Sequence, residues 1–376
     1  MHSRVRLLSI AIIALIGLLA ACSGPARPGS TTSSETSADS PTDSDAEQQG
    51  AEAPGPQPVP ADIPDPHSLT GPDTATAVPP VEPLPQTPTP ALPATVTDER
   101  GASVTVEDVD RILALDIYGT LTETVIALGL GDYLVGRTSS TTDPGFAHLP
   151  NVTPGGHELN AEALLALAPT VVLVDGTLGP QEIYTQLEQS GIAVVFMSAE
   201  RAVDTISAEI TAVAAALGVS DAGVELNERV TTELGDAQEY LSQLAPSDPA
   251  QRLKIAFLYV RGSGAVFFIF GAGSGADGLI SFLGGIDVAS EAGIVDYKPA
   301  SAESLAVINP DLILMMSSGL ESAGGLAGIL ARPGMSATTA GSKQRIVDMA
   351  DGSVLAFGPN YARVIVSLAD AIYLGQ

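Results

Sequence analysis

The second half of the chain restates the first. Asn160-Ala161-Glu162-Ala163-Leu164 leads through Ala168-Pro169 to Thr170-Val171-Val172-Leu173, and Ser301-Ala302-Glu303-Ser304-Leu305 leads through Asn309-Pro310 to Asp311-Leu312-Ile313-Leu314. Position 160 becomes 301 and position 173 becomes 314, a displacement of 141 residues. Arg111-Ile112-Leu113-Ala114-Leu115 returns as Lys254-Ile255-Ala256-Phe257-Leu258, where 111 becomes 254, a displacement of 143. One such match is what any two strand-helix units share; two in the same order imply two lobes of one design.

Each lobe alternates strands with helices. A small β-hairpin opens the fold near Ala94, with Thr95-Val96-Thr97-Asp98 and Ala102-Ser103-Val104-Thr105-Val106 flanking Glu99-Arg100-Gly101. Strands then follow at 111–116, 133–136, 170–174 and 193–197, with helices at 121–128, stopped by Gly129, and at 161–167. This order predicts an α/β chain of two Rossmann-like lobes, with ligand loops at the carboxyl ends of the strands. Residues 220–245 read as one long connecting helix, because Val224, Leu226, Val230, Leu234, Tyr240 and Leu244 recur at roughly helical spacing with Gly223 and Gly235 as the breakers. The lobes are then 94–219 and 246–376, and a single rigid connector predicts restricted hinge motion.

The start of the chain places it outside the cytoplasm. Arg4 and Arg6 precede an apolar run at 7–19, too short to span a bilayer comfortably, and Leu19-Ala20-Ala21 stands directly before Cys22. Residues 1–21 read as a cleaved lipoprotein signal and Cys22 as the lipidated first residue, holding the protein on the extracytoplasmic face of the cell membrane. Cys22 is the single cysteine, so disulfides, CxxC redox pairs and cysteine-based zinc sites are excluded within one chain. Residues 22–93 are dominated by Pro, Ser, Thr, Ala and acidic residues and predict a disordered tether. The formal charge of -28, from 44 acidic and 16 basic residues, excludes nucleic acid as a partner.

Together, the lipoprotein signal, tether, duplicated lobe and helical connector resemble the substrate-binding proteins of ATP-driven importers for siderophores, cobalamin and haem. Gly155-Gly156-His157-Glu158-Leu159-Asn160-Ala161-Glu162, Leu258-Tyr259-Val260-Arg261-Gly262 and Ile269-Phe270-Gly271-Ala272-Gly273-Ser274-Gly275-Ala276-Asp277 are similar to stretches of the haem-binding lipoproteins of Gram-positive haemin-uptake systems. The resemblance covers the chain from about Ala94. It implies that His157 and Tyr259 are axial iron ligands, one from each lobe, and that haem is the transported ligand. It also implies that Glu162 and Glu303 dock on arginines of a permease driven by its ATPase, that the protein is a monomer and that it is not an enzyme.

Physical chemistry supports parts of this. A phenolate is a hard anionic donor suited to ferric iron, and imidazole is a common haem ligand. Arg261 is two residues past Tyr259, so in a strand it projects from the same face and its charge favours the phenolate. Gly273, Ser274 and Gly275 precede a helix whose free amides would receive a propionate, and Arg137 and Ser139 offer the same in the first lobe. Glu162 and Glu303 also sit where an acid complements a helix dipole, behind the apparent N-caps Asn160 and Ser301. His148, Tyr118 and Tyr297 are the competing ligands. The rival cargoes are a ferric siderophore or a corrinoid. A tetrapyrrole chelatase is the rival of another class, although such an enzyme has no use for an anchor and tether.

Overall fold

The computed structural model describes residues 59–262 and 266–375, so the signal, Cys22 and the tether up to residue 58 lie outside the described residues. Residues 59–93, expected as free tether, instead form a strap docked on both lobes. Asp73–Thr74 (β1) pairs in parallel with the edge strand Ile346–Met349, Asp73 forms an ion pair with the buried Arg345, and Thr74 Oγ1 donates to Asp348 Oδ1 at 2.9 Å. Further along, the strap carbonyls of Thr76 and Pro79 accept from Ser367 and Asn360, each at 2.7 Å. The Leu84 and Ala91 amides donate to the first-lobe carbonyls of Ala127 and Gly218, each at 2.8 Å. Ala75, Val81 and Leu84 are buried. A proline-rich segment cannot build its own core, but a few well-spaced apolar side chains can enter another one while its backbone groups find outside partners.

In the first lobe, Ala94–Thr97 (β2) and Ser103–Val106 (β3) form the expected antiparallel hairpin. Ile112–Leu115 (β4), Thr120–Val125 (α1), Ala161–Ala166 (α2), Val171–Val174 (β5), Glu182–Gln189 (α3), Ala193–Phe196 (β6) and Ile206–Ala216 (α4) follow. The sheet is parallel in the order β4-β5-β6, and β4 and β5 are buried throughout, which explains their unbroken apolar runs. The strand expected at 133–136 is reduced to an isolated bridge between Ile112 and Leu134, because Gly131–Tyr133 closes into a 3-10 turn just before it.

Ser220–Leu244 (α5) connects the lobes and, at 25 residues, is roughly 37 Å long. Leu226, Val230, Tyr240, Leu241 and Leu244 face inward, whereas Val224 is 59% exposed and does not belong to the buried stripe.

The second lobe runs Lys254–Arg261 (β7), Val266–Phe270 (β8), Ala276–Phe282 (α6), Ile286–Asp287 (β9), Val288–Glu291 (α7), Tyr297–Pro299 (β10), Ala302–Ile308 (α8) and Leu312–Met316 (β11). Ser317–Ser322 (α9), Gly325–Leu330 (α10), Thr339–Lys343 (α11), Ile346–Met349 (β12), Asp351–Val354 (α12) and Tyr361–Ala369 (α13) complete it. Its sheet follows the order β1-β12-β11-β7-β8-β10, with β9 beside β7. The repeat is visible in three dimensions: α2 and β5 begin at 161 and 171, α8 and β11 at 302 and 312, the same displacement of 141. Directly after α13, Asp370 accepts from the Tyr240 hydroxyl of α5 at 2.5 Å.

Candidate functional site

Alternation along β7 builds one wall of the site. Ala256, Leu258 and Val260 enter the core on the far side of the sheet, while Ile255 and Phe257 enter the core shared with the first lobe, and Tyr259 packs at its edge. Tyr259 therefore leaves the sheet on the face turned to the other lobe, half-buried, with Arg261 two residues later on the same face. The Tyr259 ring stacks on Phe270 at 5.5 Å, Phe270 stacks on Phe257 at 5.5 Å, and Tyr297 leans over Phe270 at 6.4 Å. The Arg261 guanidinium lies 4.7 Å from the centre of the Tyr259 ring, over its face, and pairs with Asp351 at 2.6 Å. The cation thus approaches the π-system while a carboxylate offsets its charge, a different relation from the unshared charge expected for it.

The opposite wall comes from the loops after β4 and β6. Tyr118 stands there beneath Arg201, whose guanidinium is 5.8 Å from the ring centre. Arg201 is buried and pairs with Asp175 at 2.6 Å and Asp116 at 3.9 Å. Burial, and then the Asp175 charge, push the Asp116 carboxyl up to about 6. Burial also raises the Tyr118 phenol, against the opposing charge of Arg201. The lobes touch at Gly275, where φ is 85° and a Cβ would sit 3.0 Å from the Arg201 carbonyl oxygen. Between these walls lies a cavity of about 450 Å³ bounded by Tyr118, Arg201, Phe270, Ser274, Asp296 and Tyr297. A second, of about 330 Å³, lies where Pro79 and Val81 of the strap meet Glu123, Thr141, Gly352 and Tyr361.

The residues singled out from sequence fare unequally. Tyr259, Arg261, Tyr118 and Tyr297 gather around the cleft through the contacts above. His157 is exposed in the loop leading to α2, its carbonyl accepting from the Gly179 amide at 3.2 Å, and its imidazole has no hydrogen bond among the described residues. His148 is exposed and bonded locally to the Gly145 carbonyl at 2.9 Å. Glu162 and Glu303 are exposed in the first turns of α2 and α8, behind the caps Asn160 and Ser301.

In the loops expected to receive propionates, several polar groups have partners within the protein. Asp277 accepts from the amides of Gly273 at 2.9 Å and Gly275 at 3.1 Å, and Ser274 Oγ donates to the Gly271 carbonyl at 2.6 Å. Asp277 thus takes two amides of the loop that precedes α6. Ser139 Oγ likewise donates to the Thr153 carbonyl at 2.5 Å, and Arg137 Nη1 donates to the Thr138 carbonyl at 3.4 Å, so both knit their own loop together. The sequence reading missed Arg201, Asp116 and Asp175. Arg201 and Asp175 are 26 positions apart, and no local motif joins them.

Residues 117–351 match the model of the periplasmic binding protein family. The chain belongs to this family. Among solved structures, this periplasmic binding protein is similar to the heme binding protein HmuT at 44% identity and a TM-score of 0.79, over 83% of this chain and 100% of that one. It is also similar to the periplasmic heme-binding protein RhuT from Roseiflexus sp. RS-1, at 34% identity and a TM-score of 0.65, covering 71% and 98%. The ABC transporter substrate-binding lipoprotein YvrC of Bacillus subtilis (strain 168) is 23% identical over 256 residues, 67% of this chain and 77% of that protein.

Proposed function

We propose that this periplasmic binding protein captures ferric haem in the cleft between its lobes, with Tyr259 and His157 as axial ligands, and delivers it to the permease of an ATP-driven importer. The observation that carries the reading is the placement of Tyr259: a phenol on the cleft face of β7, backed by stacked aromatic rings, with a guanidinium over its own ring. A flat apolar macrocycle suits such a wall, and a phenol oxygen suits ferric iron. The HmuT structures lend support, since they include variants in which a tyrosine, a histidine and an arginine are each replaced by alanine. That tyrosine and arginine are two positions apart and the histidine is far upstream, the order of His157, Tyr259 and Arg261 here.

Binding and hand-over need no bond-making by the protein beyond exchange of iron ligands. His157, exposed and without a protein partner among the described residues, exchanges readily, while half-buried Tyr259 provides the firmer grip. Glu162 and Glu303, one exposed acid per lobe, are the docking contacts for the permease, and lipidation at Cys22 keeps the loaded protein at the membrane. Titration with haemin followed by visible absorption tests the reading. The Soret band is expected to shift and saturate, with the shift lost in Tyr259→Ala and weakened in His157→Ala. An unchanged spectrum on adding haemin to the native protein overturns it.

A further inference from the structure

We infer that Asp351 is a positioning residue for the cargo: by gripping the Arg261 guanidinium it fixes that cation over Tyr259 and so sets how slowly haem leaves the protein. The inference rests on the haem reading above.

Three strands of the second lobe end at the same place, and each contributes to the grip. Arg261 is the last residue of β7, α9 starts at Ser317 directly after β11, and Asp351 opens α12 two residues after β12. Asp351 Oδ2 accepts from Arg261 Nη2 at 2.6 Å and from the Ser318 hydroxyl, while Oδ1 accepts from the Ser318 amide at 3.0 Å. Both carboxylate oxygens are therefore used, and Ser318 aims them. The same Nη2 points at Met316 Sδ at 3.2 Å, and Nη1 donates to the Val260 carbonyl at 3.1 Å. A Cβ on Gly319 would lie 2.8 Å from the Val260 oxygen and 3.2 Å from Nη1, so glycine at this position lets the backbone carbonyl and the guanidinium pack closely against α9.

Holding the group matters because it is not buried. Arg261 and Asp351 are 33% and 31% exposed, and a free arginine side chain has many rotamers to sample. Without Asp351 the guanidinium is free to swing toward solvent, away from the ring 4.7 Å beneath it. Asp351 meets the cleft face of β7 at the Arg261 guanidinium, and its influence on the cargo passes through that ion pair.

A double-mutant cycle on the haem-loaded protein tests this, with haem release timed by transfer to excess apo-myoglobin. Asp351→Ala is expected to speed release roughly five- to tenfold, in the range of directly coupled neighbours, and to move the visible charge-transfer band of the tyrosinate-ligated iron. In an Arg261→Ala background the same substitution should change release less than twofold and leave the band in place. Asp351→Asn, which keeps the acceptor for Ser318, covers the case in which the alanine variant folds poorly, and should give an intermediate rate; Asp351→Glu should restore much of the native one. Equal acceleration in both backgrounds, or none in either, overturns the inference while leaving the haem reading intact. Failure of the native protein to take up haemin at all overturns the reading and the inference with it.

Discussion

Glu123 shows how one residue ties the stability of the lobe contact to pH. It sits on α1 in the first lobe, and one carboxylate oxygen accepts from the Asn360 amide of the second at 2.7 Å. Burial pushes its carboxyl from 4.5 up to about 7. The native state therefore holds this proton more tightly than the unfolded chain does, so its contribution is fully present below about 4.5 and is lost as pH rises through about 7. Glu123→Gln removes that cost and keeps an oxygen for Asn360. It should be more stable than the native protein at pH 8, by about 3 kcal/mol at most, with the difference vanishing toward pH 4.5 in urea unfolding curves. A constant difference across that range would show that the carboxyl ionises freely. Nothing in the sequence marks Glu123, because its partner is 237 positions away. That Tyr259 and Arg261 share a face was legible, in contrast, since the two-residue period of a strand sets it whatever surrounds them.

Among elements, the repeated helix-to-strand joint was the most legible and carries a strain that only the structure reveals. Ala168 and Asn309 occupy equivalent positions, each before a proline, and both are left-handed, with φ of 45° and 34°. Asn309 is suited to that conformation and its Oδ1 accepts from the Thr339 amide at 2.9 Å. Ala168 has neither advantage. Ala168→Gly should stabilise the first lobe by about 1 kcal/mol, read as a rise in the thermal midpoint, and Asn309→Ala should destabilise the second by at least as much. No change at Ala168 would mean that the joint is not strained. The strand expected at 133–136 is cut short because Tyr133 closes the 3-10 turn that begins at Gly131, which leaves only Leu134 bridged to Ile112.

At the scale of the whole molecule, the strap changes what the two lobes can do. Its backbone bonds to β12 in one lobe and to Ala127 and Gly218 in the other, so a hinge at α5 is bridged by a second connection. Composition concealed this: prolines and acids outnumber the few valines and leucines between residues 59 and 93, and docking depends on where those few land. The Leu84 and Ala91 amides should be protected from hydrogen exchange in the native protein, and Leu84→Ala should weaken that protection with a loss of about 2 kcal/mol. Exchange at the rate of an unstructured peptide in the native protein would remove the strap from the account. The two lobes and the helical connector followed from periodicity and duplication, whereas the strap and the Arg201 cluster depend on contacts between distant segments that no local pattern encodes.

One iron atom held by both lobes is a feature that a crystal structure of the haem-loaded protein would display. The expected result is the Tyr259 phenol oxygen and a ring nitrogen of His157 bound to the iron on opposite faces of the porphyrin. A porphyrin outside the cleft, or an iron to which Tyr259 is not bound, would contradict it.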